Sequence, residues 1–181
     1  MTPTQLSRVP NLDGVDVLIA TAGVLPADPV AEMVSRLAGP EGSITVMTVI
    51  EVPRLFLETT DDERRFFLND EPEIGRIDAK ANRYLEERGR RLVDPIVAAF
   101  RARGWTATAR YVEGSDPALA IIQAATEVGA ELIVMGATRP LFADSAWGSV
   151  SAGVMQRAAC PLLLIPGSRS DEPGETSTPQ P

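Results

Sequence analysis

The sequence predicts an α/β fold, one open twisted sheet of five mostly parallel strands with helices on both faces. Three observations carry this. Apolar runs such as VDVLIATA (15–22) and PLLLIP (161–166) are near-continuous rather than alternating, as strands covered on both faces must be. Between them lie segments whose apolar residues recur with the period of a helix. The two kinds of segment alternate as βαβαβαβαβ, the order a parallel sheet needs because each crossover requires a connecting helix.

Each element has its own signals. The first strand is VDVLIATA, and DPVAEMVSRLAGP (28–40) follows as a helix with Asp28 as N-cap and Pro29 at the first helical position. Its buried stripe is Val30, Met33, Val34 and Leu37, and Gly39-Pro40 is the stop. SITVMTVI (43–50) is the second strand by its β-branched content. Residues 51–76 have no clean period and read as an excursion with one helical turn; Phe56, Phe66 and Phe67 either pin it to the domain or offer a partner surface. From Ile77 to Arg103 apolar residues return at helical spacing, with Pro95 a point of kinking and Gly104 the end. WTATARYVE (105–113) is the third strand. GSDPALAIIQAATEVGA (114–130) repeats the Asp-Pro start at Asp116-Pro117 and turns Leu119, Ile122 and Ala125, with Ala118 and Ile121, to the core. ELIVMG (131–136), GSVSAGVMQRAA (148–159) and PLLLIP complete the set as strand, helix and strand. The flanks 1–14 and 168–181 are rich in Pro, Ser, Thr, Gly and acids and read as disordered, which leaves one domain over 15–167.

Composition narrows the chemistry. A chain of 181 residues suits one domain with a self-sufficient core. Histidine is absent, which removes Ser/His/Asp and Cys/His nucleophile pairs and His-ligated metals. The single cysteine, Cys160, rules out an internal disulfide. A formal net charge of −8 argues against nucleic acid as partner. No apolar run approaches the roughly 20 residues of a bilayer span. Met1 to Asn11 lacks the basic start and apolar block of a secretion signal, so the expected compartment is the cytoplasm, without membrane attachment.

The chemistry concentrates in residues 131–166. Gly136 closes the fourth strand, and Gly148-Ser149 precede the last helix, where free N–H groups and a close backbone can cradle a phosphate. Taken with VLIATAG, ITVMTVIE, VEGSDPALAIIQAATEVGAELIVMGA and WGSVSAGVMQRAACPLLLIP, these residues resemble the universal stress protein family from about residue 15 to 167. The resemblance implies a Rossmann-like sheet in which the first and fourth strands are neighbours with connections leaving in opposite directions, the switch point where open α/β sheets bind ligands. One branch of that family binds ATP, with Mg²⁺, through a loop written Gly, two residues, Gly, nine residues, Gly, then Ser or Thr. Carried over residue by residue, the implied nucleotide-binding positions are Ala22, Gly23, Val49 against the adenine, Gly136, Arg139, Gly148, Ser149, Val150 and Ser151.

Two departures follow from the same alignment. Arg139 stands where the second glycine belongs, Pro140 after it removes a donor, and 11 residues separate Gly136 from Gly148, one fewer than the family loop. At the first strand, Ala22-Gly23-Val24 replaces the Asp-Gly-Ser of nucleotide-binding relatives, losing the carboxylate and the hydroxyl. The reading that results is a non-catalytic stress-response regulatory protein with an impaired nucleotide site, acting through protein contacts. The resemblance also implies a homodimer through the last strand, Pro161 to Pro166, which in relatives pairs with its mate across a twofold axis and whose apolar edge here needs such cover. The alternative is an ATP-binding switch with slow hydrolysis, in which Arg139 supplies a charge-assisted contact instead of a backbone one.

Other candidates are weaker. SVSAG places Ser151 as in a nucleophile elbow, but Ser149 occupies the first glycine position and no histidine exists to activate the serine. Asp61, Asp62 and Glu63 read as a solvated turn rather than a metal site. Cys160 reads as a packed thiol, and Trp147 either caps the pocket or fills the volume of a nucleotide.

Overall fold

In the computed structural model, which describes residues 14–53, 73–137 and 150–166, strands and helices alternate through the described chain. They are β1 (Val17–Ala20), α1 (Ala27–Ala38), β2 (Ile44–Ile50), α2 (Glu73–Arg101), β3 (Ala107–Glu113), α3 (Pro117–Glu127), β4 (Leu132–Ala137), α4 (Val150–Arg157) and β5 (Leu162–Pro166). The strands form one sheet in the order β3-β2-β1-β4-β5, and every pairing is parallel. β1 is central: Val17 is in register with Ile44 of β2 on one side and with Leu132 of β4 on the other. All four of its residues are buried, which is why its sequence reads as an unbroken apolar run.

Strand alternation divides the core in two. Val17, Ile19, Ile44, Val46 and Val134 face α1 and α2, where Val30, Val34, Val93, Ile96 and Phe100 close over them. Leu18, Ala20, Met47, Ile133 and Met135 face α3 and α4, where they meet Ala118, Ile121, Ala124, Ala125 and Val154. Small residues let α3 and α4 cross closely, a Cβ at Gly153 standing only 2.9 Å from Cβ of Ala118.

The local expectations hold at Asp116 and fail at Asp28. Asp116 caps α3, its Oδ1 accepting from the Leu119 N–H at 3.0 Å, with Pro117 beginning the helix. α1 instead starts at Ala27 with Pro26 as its N-cap and no side-chain cap bond. Pro26 already holds the extended geometry a cap needs, so Asp28 falls inside the first turn and its carboxylate pairs with Arg103 at 3.0 Å. The stripe of α1 is Val30, Ala31, Val34 and Ala38, while Leu37 is 46% exposed. Similarly, α3 turns Ile121 onto the sheet, so Leu119, two residues before it and on the far side of the helix, is 45% exposed.

α2 begins at Glu73, so the last four residues expected in the excursion, 73–76, belong to this helix. It runs through Pro95, whose ring is exposed and whose missing N–H costs one bond on the solvent side. Exposed Glu86–Arg90 and Glu87–Arg91 pairs at i,i+4 support it. Among the described residues no helix is long and apolar enough to cross a membrane. The expectations for the two flanks, for Phe56, Phe66 and Phe67, and for Asp61, Asp62 and Glu63 lie outside the described residues.

Candidate functional site

The order β2-β1-β4 makes the carboxyl end of β1 the switch point of the sheet, because the chain leaves β1 toward α1 on one face and leaves β4 toward α4 on the other. A cavity of about 150 Å³ opens there. Its walls come from the end of β1 (Ala20 to Ala22), from Val24, from Thr48 and Val49 of β2, from Met135 and Gly136 of β4, and from the starts of α3 (Pro117, Ile121) and α4 (Val150). Of the implied positions, the structure brings Ala22, Val49, Gly136 and Val150 together around this space. Gly23 lies beside it and Ser151, half-buried, follows Val150 in the first turn of α4. Arg139, Gly148 and Ser149, with Trp147, lie outside the described residues.

The turn after β1 is built by its own residues. Gly23 takes φ +87, open to glycine at little cost, and its N–H donates to Oγ1 of Thr21 at 2.9 Å. That turn sets Val24 over β4: a Cβ added to Gly136 would lie 2.9 Å from Cγ2 of Val24. Gly136 therefore has a packing reason of its own, in addition to the phosphate reason its position implies. Val24, 39% exposed, stands at the mouth of the cavity.

The β1–β2 ladder ends where the Thr21 N–H donates to the Met47 carbonyl at 2.9 Å. Main-chain groups along a strand turn alternately to its two neighbours, so the next N–H and C=O that β2 directs toward β1 belong to Val49, at the cavity wall. A ring lying in the cavity would find one donor and one acceptor there. Thr48 is different. Its residue number places its side chain on the α1/α2 face with Ile44 and Val46, and its Oγ1 is buried without a partner.

Among the described residues, none that lines the cavity carries a charge. Pro117 lines it, but the charge at the start of α3 is already committed: the Leu119 N–H, and after it Arg157, whose Nη1 donates to Oδ2 at 3.3 Å, hold the Asp116 carboxyl below its ordinary range. An anion reaching the α3 N-terminus would meet this carboxylate. No group of three acidic, His or Cys side chains that could hold a metal ion occurs among the described residues. Cys160 packs against the α3/α4 core, and burial pushes its thiol above the usual range, as a packed thiol requires.

Six of these wall residues were not singled out as site residues from the sequence: Ala20, Thr21, Thr48, Pro117, Ile121 and Met135. Pro117 and Ile121 carried a usable signal, being four apart on one face at the start of a capped helix. The four strand-end residues carried none, because such residues look like core.

A family model described as the universal stress protein family matches residues 16–166. Among solved structures, the hypothetical protein MJ0577, whose structure was used to assign its biochemical function, is 17% identical with a TM-score of 0.60, covering 88% of this chain and 100% of its own. A universal stress protein in complex with cAMP is 20% identical with a TM-score of 0.51, covering 86% and 99%. A universal stress protein family protein from Arabidopsis thaliana with AMP bound is 18% identical with a TM-score of 0.50, covering 89% and 97%. At these identities the likeness is one of fold. No curated protein matches at a significant level.

Proposed function

This chain belongs to the universal stress protein family, and from that premise we propose that it is a non-catalytic stress-response regulatory protein, working as a homodimer, whose nucleotide site is impaired. The observation that supports the reading is the cavity at the switch point, whose described lining residues are uncharged, with Ala22 and Val24 where nucleotide-binding relatives carry an acid and a hydroxyl. The fold-level neighbours with cAMP and AMP make nucleotides the ligand class against which to measure the impairment.

Support for the homodimer comes from the sheet edge. Among the described residues β5 has a strand on one side only, and it presents Leu164, 40% exposed, with no charged residue between Leu162 and Pro166 to blunt it. A second strand paired along it would cover both the apolar side chains and the free main-chain groups. Signalling would then pass through protein contacts made by the pair.

The second reading is an ATP-binding switch, with Mg²⁺, using Arg139 in place of the missing glycine. It is favoured by one observation: Gly136 and the first residue of α4, Val150, flank the same cavity, as a phosphate loop and helix start must. The two are separated by heat-denaturing the purified protein, assaying the supernatant for adenine nucleotide, and following Tm with millimolar ATP and Mg²⁺. A ligand at 100 times its Kd stabilises by about 2.7 kcal/mol, or several degrees at this size. The first reading expects no nucleotide and no shift; bound nucleotide with a shift of that size establishes the second.

A further inference from the structure

We propose that Val24 is a plug: its side chain, held over Gly136 at the mouth of the cavity, obstructs the phosphorylated end of a nucleotide. The inference rests on the reading of an impaired site and names the side chain that impairs it.

The contact is tight. A Cβ built on Gly136 would stand 2.9 Å from Cγ2 of Val24 and 3.7 Å from Cγ and Cδ2 of Leu25, so these two side chains cover the face that the glycine leaves bare. A glycine at the carboxyl end of a central strand lets a ligand come close to the backbone. Here the chain's own valine takes that approach. Val24 lines the cavity and is 39% exposed, which puts it between the apolar interior and water. The charged end of a ligand belongs in that same place, because it keeps its hydration there.

Val24 is also fixed in position. Before it, Gly23 takes φ +87 and gives its N–H to Oγ1 of buried Thr21 at 2.9 Å. A Cβ on Gly23 would stand 2.8 Å from Cδ2 of Leu92, so α2 backs the turn from behind. After it, Leu25 is buried in the α1/α2 core. A β-branched side chain between two such anchors has few rotamers through which to step aside.

Obstruction and loss of a hydroxyl make opposite predictions. Val24→Ala removes the γ carbons and adds no polar group, whereas Val24→Thr keeps the bulk and adds a hydroxyl. The experiment measures the affinity of the full chain and of both variants for AMP and ATP·Mg²⁺ by calorimetry, with the Tm of each protein taken alone to show that it folds. Val24→Ala is expected to bind AMP about tenfold or more tightly than the wild type, and Val24→Thr no more tightly than the wild type. Equal AMP affinity in Val24→Ala and the wild type, or no binding by either, overturns the plug and leaves the impaired-site reading in place. A gain in Val24→Thr as large as that in Val24→Ala, or larger, also overturns it and assigns the impairment to the missing hydroxyl. Tight binding of ATP·Mg²⁺ by the wild type, unchanged in Val24→Ala, overturns both.

Discussion

The two faces of the sheet each carry a buried core, but only one of them borders the cavity. Against α1 and α2 lie Phe100, Ile96, Val93, Val30 and Val34, fully or almost fully buried, three of them from the helix of 29 residues. Against α3 and α4 lie Leu18, Met47, Ile133 and Met135 with Ala118, Ala124 and Ala125. Among the described residues that line the cavity, Ala20, Val49, Ile121, Met135 and Val150 pack in this second core and none in the first. The cavity is thereby tied to one side of the sheet, with β1 belonging to both.

This contrast can be broken most forcefully at Phe100, whose side chain is fully buried on the α1/α2 face. Phe100→Ala is expected to cost about 3–5 kcal/mol, read from denaturant melts. A much smaller loss would mean that this core collapses readily around the missing ring. A smaller effect of opposite sign is expected at Thr48, whose hydroxyl is buried without a partner. Thr48→Val should gain about 1 kcal/mol, a rise in Tm of roughly 2–4 °C. A fall would show that the hydroxyl is bonded.

The smallest effect belongs to the α3/α4 face, at Asp116. Its carboxyl is held below the ordinary range by the Leu119 N–H and Arg157, so its charge adds stability above the unfolded pKa near 4, and the gain is lost as pH falls through the lower folded value. Asp116→Asn keeps a capping side chain without the charge. The wild type should therefore be the more stable protein at neutral pH, and the two stability curves should converge below about pH 4. Parallel curves across that range would remove the electrostatic role assigned to the α3 start.

Much of the architecture was legible because β strands buried on both faces leave no polar alternation, and because Asp-Pro before an apolar stripe is a strong helix start at Asp116. The same signal misled at Asp28, where Pro26 supplied the cap geometry earlier in the chain. Helix phase was the least legible quantity. Leu37 and Leu119 are large and apolar, yet both face outward, since small residues such as Ala31, Ala38, Ala118 and Ala124 let the helices lie close to the sheet. For the site, the sequence located the strand ends and the helix start. It did not reveal that Val24 folds back onto Gly136, a contact made by the turn at Gly23 between two residues 112 positions apart.

The central position of β1 also has a kinetic consequence. Its pairing with β2 is local, but its other neighbour arrives late: the Asp16 N–H and a Glu131 carboxylate oxygen meet across 115 residues of chain. Closing a loop of that length is entropically slow compared with forming the local contacts within α1 or α3. The walls of the cavity from β4 and α4 cannot exist until that closure has happened, although β1, β2 and β3 already have partners without it. A growing chain would thus carry a nearly finished half-sheet with no pocket, and occupancy of the pocket is a readout of the last step of folding, not of the first.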